Sequence, residues 1–196
     1  MSADPPLKKV LEALLFTMAE PLSVRTLAKA FEDPPPSEEM IEALLELKRD
    51  YVVEDRAFEL VEVAEGFQLR SKPVYARWIK RLVSVKAPKL SRSALETLSV
   101  IAYQQPITRV EIEQIRGVDS SSVLKTLLER RMIRILGRKD APGHPLVYGT
   151  TKQFLEVFGL KSLSSLPPLG EDMENGFDQK DSSSEMGDAS DASVEA

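Results

Sequence analysis

Residues 137–150, GRKDAPGHPLVYGT, bring together Arg138, Lys139, Asp140 and the only histidine of this 196-residue chain, His144. A histidine drives nucleophilic chemistry when a thiol or hydroxyl lies within hydrogen-bond reach of it. The chain has no cysteine, so a Cys–His pair is impossible and His144 would serve any triad alone. Zinc needs several nitrogen, sulfur or carboxylate ligands, and here only His144 and carboxylates are on offer. Neither a G-x-x-x-x-G-K-[ST] phosphate loop nor a G-x-G-x-x-G turn occurs. Glu111 and Glu113 are two apart on an expected helix and so face different ways. His144, set between Gly143 and Pro145, reads as a surface loop residue. The expectation is a chain with no catalytic residues, no metal and no cofactor: not an enzyme.

Charge divides the chain unevenly. Its net charge of −5 is concentrated in residues 171–196, where nine acids stand against one lysine, while residues 1–170 carry a small positive excess. That acidic, serine-rich segment lacks the apolar residues needed to offset ordering entropy and is expected to be a disordered tail. No apolar run approaches the roughly 20 residues of a membrane helix, and the N-terminal residues do not resemble a secretory signal. A cytoplasmic location and no membrane partner are expected.

The elements around the loop follow a plan that occurs twice. MAEPLSVRTLAKAF (18–31) and YQQPITRVEIEQIR (103–116) share one order: helix end, proline, apolar residue, hydroxyl, new helix. Pro21 and Pro106 end a helix, and Ser23 and Thr108 are placed to cap the next. Thr108 and Glu111 have capping-box spacing. Apolar residues recur at helical spacing before each proline. A third helix then follows, with Ser37 and Asp119 as its expected caps. After it comes a hairpin: FELVEV and FQLRS around Glu65-Gly66, then MIRIL and LVYGT around the opening loop. Pro142 and Gly143 fit positions i+1 and i+2 of a type II turn. Each hairpin leads into a final helix, VYARWIKRL (74–82) or KQFLEVF (152–158).

Three helices with a helix-turn-helix and a β-hairpin predict two tandem winged-helix domains, mainly α with small hairpins (an α+β class). The expected boundaries are 1–84, 85–170 and a tail at 171–196, with a short linker near 84–91. Pro106 reads as a helix breaker, Gly117 as a turn and Gly149 as a strand end near the following helix. The leucines of GLKSLSSLPPL (159–169) suggest a segment packed along the second domain.

Winged helices often read DNA through the third helix, with wing cations on phosphate. The first third helix is dominated by acids, among them Glu38, Glu39, Glu42, Glu46 and Asp50, and its hairpin adds Glu59, Glu62 and Glu65; it would repel a phosphate backbone. The second begins Asp119-Ser-Ser-Ser with only Lys125 before Glu129. At most weak, nonspecific DNA contact is expected, and the alternative is a winged-helix transcriptional regulator. Protein binding remains for the unused surface. Tyr103, Gln105, Arg109, Arg116 and Lys125 at the second helix-turn-helix are candidate partner contacts. Tyr51, Val52, Val53 and Trp78 are candidate dimer contacts.

EALLFTMAEPLS, ALETLSVIAYQQPITRVEIEQIRGVDSSSVLKTLLERRMI and GRKDAPGHPLVYGTTKQFLEVFGLKSLSSLP resemble the segregation and condensation protein B (ScpB) family from about residue 12 to 168. The wing departs from the family's Pro-Gly-Arg-Pro by carrying His144, and the acidic tail lies outside the pattern. The resemblance implies a non-enzymatic subunit of the bacterial condensin-like SMC complex. It also implies a homodimer formed through the first domain that binds the kleisin ScpA. Through ScpA it joins the SMC ATPase in chromosome condensation and segregation.

Overall fold

The protein is described from a computed structural model covering residues 5–83 and 89–168. The acidic segment 171–196 and most of the expected linker lie outside these residues. Met1–Ser165 form one compact unit, and helices predominate over two small antiparallel sheets.

Residues 5–83 build α1 (Leu7–Thr17), α2 (Val24–Ala28), α3 (Ser37–Val53), β1 (Phe58–Val63), β2 (Gly66–Ser71), a 3-10 turn (Pro73–Tyr75) and α4 (Ala76–Leu82). Apolar residues one turn apart put Leu11 and Leu15 of α1 against Met40, Leu44 and Leu47 of α3, with Leu27, Leu60 and Phe67 completing a core. Residues 89–168 repeat the order: α5 (Arg92–Gln104), β3 (Ile107–Thr108), α6 (Arg109–Arg116), α7 (Ser121–Glu129), β4 (Ile133–Arg138), β5 (Leu146–Thr150) and α8 (Lys152–Phe158). Leu98, Ile101, Ile112, Leu124, Leu127 and Ile133 are buried there.

Ser23 and Thr108 cap α2 and α6 as expected, each accepting from the amide three residues on. Ser37 and Asp119 do not cap. The Pro34–Pro36 run holds Pro36 extended, so Ser37 enters α3 as its first residue, with Glu38 and Glu39 favourably placed in the positive first turn. Ser120 stands at the start of α7 without a side-chain cap bond, and Asp119 instead accepts from Ser121 Oγ at 2.7 Å.

Both hairpins gain a partner that no periodicity announced. Leu22 exchanges two backbone hydrogen bonds of 2.9 Å with Phe67, and Ile107–Thr108 pairs with Tyr148 and Val147 of β5, giving strand order β3-β5-β4. The apolar residue after each proline thus adds an edge to the sheet. The first hairpin turn lies one residue earlier than expected. Val63 pairs with Gly66, and Ala64 and Glu65 take positive φ of 50° and 61°, as a two-residue type I′ turn requires. Gly66 is kept in the strand because a Cβ there would lie 2.7 Å from both the carbonyl carbon and oxygen of Leu22. The second loop forms the expected turn, with His144 N donating to Ala141 O at 2.8 Å and Gly143 at φ 82°.

Residues 159–161 depart from the expected packing along their own half. Ala64 N donates to Leu160 O (2.9 Å) and Glu65 N to Lys161 O (2.8 Å), so the first hairpin's tip grips the chain after α8. Lys161–Glu62 (2.6 Å), Lys152–Glu65 (3.4 Å) and a bond from Arg70 Nη2 to Glu156 O (3.2 Å) flank this seam. The Lys161 ammonium holds the Glu62 carboxyl below the usual carboxylate range.

Candidate partner-binding site

The helix-turn-helix of the second half is assembled from α5, the cis Gln105–Pro106 bond, β3, α6 and α7. Gln105 leaves the end of α5 and turns inward. Its Oε1 accepts from Thr150 N (2.8 Å), and its Nε2 donates to Thr150 Oγ1 (3.0 Å) and Ala102 O (3.2 Å). Gly149 is required for that approach, since a Cβ would stand 2.8 Å from Gln105 Oε1 and from Leu136 Cδ1. Its role is therefore clearance for Gln105 and Leu136 rather than the nearby helix.

Thr108 and Glu111 close the capping box. Glu111 Oε2 accepts from Thr108 N and from Thr108 Oγ1, both at 2.7 Å, while Oε1 takes Lys139 Nζ at 2.6 Å. The Lys139 bond, followed by the two Thr108 bonds, pulls the Glu111 carboxyl down to about 2. A depressed carboxylate stabilises the fold fully above its unfolded value near 4.5 and loses that contribution as pH falls toward about 2. Glu111→Ala is expected to cost about 1 kcal/mol at pH 7, by analogy with losing a cap, and clearly less near pH 3. Urea unfolding of both proteins at the two pH values measures this; an equal gap at both would exclude the ionised carboxylate as the source.

Arg116 is also directed inward. Its guanidinium donates to Ser120 Oγ (3.2 Å), Ser93 Oγ (3.0 Å) and Glu96 (3.3 Å), and only 7% of the side chain is exposed. It ties the start of α5 to the turn before α7, and Gly117 at φ 72° ends α6 beside it. Arg109 lies on the outer side, bridging Glu113 (2.8 Å) and Asp119 (3.6 Å), while Glu113 also accepts from Ser120 N (3.0 Å). Lys125 is 79% exposed and lies 4.0 Å from Glu129. Tyr103 is half-buried near the end of α5. Val110 and Val118 lie open on the same motif.

Of the five residues proposed from sequence, the fold therefore engages Gln105 and Arg116 internally and leaves Tyr103, Arg109 and Lys125 at least partly accessible. The wing cations are likewise engaged: Arg138 Nη1 bonds His144 O (3.0 Å), and Lys139 bonds Glu111. Among the described residues no group of three or more His, Cys, Asp or Glu side chains is placed to hold a metal, and no helix is long and apolar enough to cross a membrane.

The candidate dimer residues separate. Tyr51 is buried in the first core, its hydroxyl donating to Glu12 Oε1 at 2.7 Å; burial, then that carboxylate, pushes its pKa up to about 12. It is thus a core residue. Val52 and Val53 are exposed at the end of α3, Val53 at 83%, and exposed Trp78 stands on α4. Sequence reasoning passed over the cations of that helix, Arg77, Lys80 and Arg81. The signal was available: no acid occurs between Glu65 and Glu96.

The sequence is similar to those of known proteins. Residues 9–169 match the profile of the family described as segregation and condensation complex subunit ScpB. A segregation and condensation protein B from Syntrophotalea carbinolica is 51% identical over 165 residues, covering 84% of this chain and 83% of its own. ScpB from Mycobacterium tuberculosis, known as a crystal structure, is 35% identical and covers 81% of this chain and 99% of that one, with a TM-score of 0.37. A crystal structure described as a dimer of the ScpB N-terminal domain complexed with ScpA peptide is 35% identical over 39% of this chain and 94% of that one, with a TM-score of 0.35. Superpositions this loose carry no argument about the fold, whereas the sequence agreement spans both halves. The chain belongs to the segregation and condensation complex subunit ScpB family.

Proposed function

We propose that the chain is a non-enzymatic scaffold of a bacterial condensin-like SMC complex in chromosome condensation and segregation. It works in the cytoplasm, on the nucleoid. It consists of two winged-helix domains, 1–84 and 85–170, the first associating with a second copy and the second holding a segment of the kleisin ScpA. Through ScpA it meets the SMC ATPase, which supplies the ATP chemistry. The carrying observation is family membership across both halves. The bonds of Arg138 to the His144 backbone oxygen and of Lys139 to Glu111 favour protein over DNA as the partner of the second helix-turn-helix.

On this reading Tyr103, Arg109 and Lys125 touch the kleisin, and Gln105 and Arg116 position them. Val52 and Val53 contribute to self-association, an apolar contact for a domain too small to bury much of its own surface. Truncating a central contact residue commonly costs 2 kcal/mol or more, roughly a thirty-fold loss of affinity. Tyr103→Ala and Lys125→Glu are therefore expected to weaken ScpA binding together by about that factor, Lys125 being exposed enough to change without unfolding α7. Sedimentation of the full chain with and without ScpA measures both steps. A chain that stays monomeric at micromolar concentration contradicts the dimer, and unchanged ScpA binding by both variants removes the contact residues.

A further inference from the structure

Two acids of the first hairpin are spent on the other half of the chain. Glu62 takes Lys161 at 2.6 Å, and Glu65 takes Lys152 at 3.4 Å. A second polar set joins the same two halves. Arg70 Nε donates to Gln68 Oε1 (2.7 Å) and Arg70 Nη2 to Glu156 O (3.2 Å), while Gln68 Nε2 donates to Glu156 Oε1 (3.2 Å). The backbone bonds from Ala64 and Glu65 to Leu160 and Lys161 complete the join.

Both sides are shaped for it. Val63 pairs with Gly66, so the amides of Ala64 and Glu65 lie beyond the ladder and are left to bond outside the hairpin. Ala64 is only 5% exposed although it stands at a hairpin tip. On the other side Gly159, at φ 66°, ends α8, with Gly159 N donating to Glu156 O (3.2 Å) and Leu160 N to Leu155 O (2.8 Å). This Schellman arrangement satisfies the last turn of the helix and leaves the carbonyls of residues 160 and 161 for another partner.

What the join lacks is a shared interior. The first core is closed by its own half: its buried members run from Leu11 to Phe67, and the half-buried residues packed on it from Leu7 to Leu69. The charged groups at the join stay wet, Lys152 and Lys161 each at 68% exposure and Glu65 at 60%. Exposed ion pairs contribute little each and are screened by salt. Polar interfaces of this kind leave domains free to move against each other. Opening this one uncovers none of the first core, so it demands far less than unfolding either half.

We propose that the join is an electrostatic latch. Glu62 and Glu65 hold Lys161 and Lys152 so that the hairpin tip captures the chain after α8. Salt, or reversal of these charges, frees one half from the other while both stay folded. The orientation of the two halves is thereby a variable of the chain, and the latch does not depend on the proposed kleisin contacts.

Backbone amide exchange of the full chain, followed residue by residue by NMR, reads the latch. Ala64 and Glu65 report the join, Leu44 in α3 the first half and Ile101 in α5 the second. Lys152→Glu/Lys161→Glu sets like charges at both pairs, and a glutamate is well placed in the first turn of α8. The double variant is expected to exchange Ala64 and Glu65 about ten-fold faster, roughly the summed effect of two exposed pairs. High salt should speed the same two amides several-fold in the wild type, while Leu44 and Ile101 keep their rates throughout. Tip amides that exchange at the free-peptide rate in the wild type, or that open only together with Leu44 and Ile101, overturn the proposal. So does protection that survives either the charge reversal or the salt. Protection that falls on dilution also overturns it, since a second copy would then be covering the tip.

Discussion

Gly66→Ala is expected to lower the stability of the chain by about 3 kcal/mol. The new methyl would meet the carbonyl carbon and oxygen of Leu22 at 2.7 Å, and both are backbone atoms that no rotamer change can move. Relief requires β2 to withdraw from Leu22, weakening the two 2.9 Å bonds between Leu22 and Phe67. Overpacking of this kind costs about 1–3 kcal/mol, and each weakened bond adds about 1. The cause is contact, not torsion, because Gly66 is not among the positive-φ glycines. Gly137→Ala is the control: nothing lies within 4 Å of its added Cβ, and a change within about 0.5 kcal/mol is expected. Thermal unfolding should separate the two by about 6–12 °C. A Gly66→Ala protein melting with the wild type would mean that the Leu22 edge is not held against the sheet.

Ile112→Ala should be comparably damaging. Ile112 is the only buried residue of α6 and is fully enclosed. Removing three carbons there costs about 2–5 kcal/mol, depending on how far the surroundings collapse. Val110, on the same helix but 57% exposed, should tolerate alanine with little change. With Ile112 gone, α6 keeps its capping box but loses its anchor, so Arg109 should no longer hold its place opposite Asp119. Urea unfolding gives the stability. Binding of ScpA by the fraction still folded tests whether the helix's position matters to the partner. Equal midpoints for Ile112→Ala and Val110→Ala would contradict the packing described for α6.

Features that rest on neighbouring residues are legible in the sequence alone. The hydroxyl two places after each proline caps the next helix, the Thr108–Glu111 box closes, and Pro142-Gly143 makes its turn, because each depends on a few consecutive backbone groups. Features that rest on distant residues are not. Leu22 and Ile107–Thr108 join the sheets as segments too short to show alternation. Glycine preference alone assigned Gly66 to the turn, whereas the carbonyl of Leu22 requires it in the strand and leaves Ala64 and Glu65 with the left-handed angles. Arg116 and Gln105 looked like surface recognition residues, since their types are usually exposed. Ser93, Ser120 and Glu96 for one, and Thr150 for the other, supply the partners that make burial tolerable. Tyr51 was absorbed by its own core for the ordinary reason that an aromatic ring with a bonded hydroxyl packs well there.

The two backbone bonds at residues 160 and 161 are accepted by main-chain oxygens, so they do not depend on which side chains stand there. Leu160 can be exchanged without losing them, whereas Lys161 also carries the ion pair to Glu62. The vulnerable side is the donor side: proline at 64 or 65 would remove an N–H and cannot adopt the positive φ those positions hold. A single such change would break one of the two backbone bonds and leave the join to the second bond and the flanking ion pairs of Lys161 and Lys152.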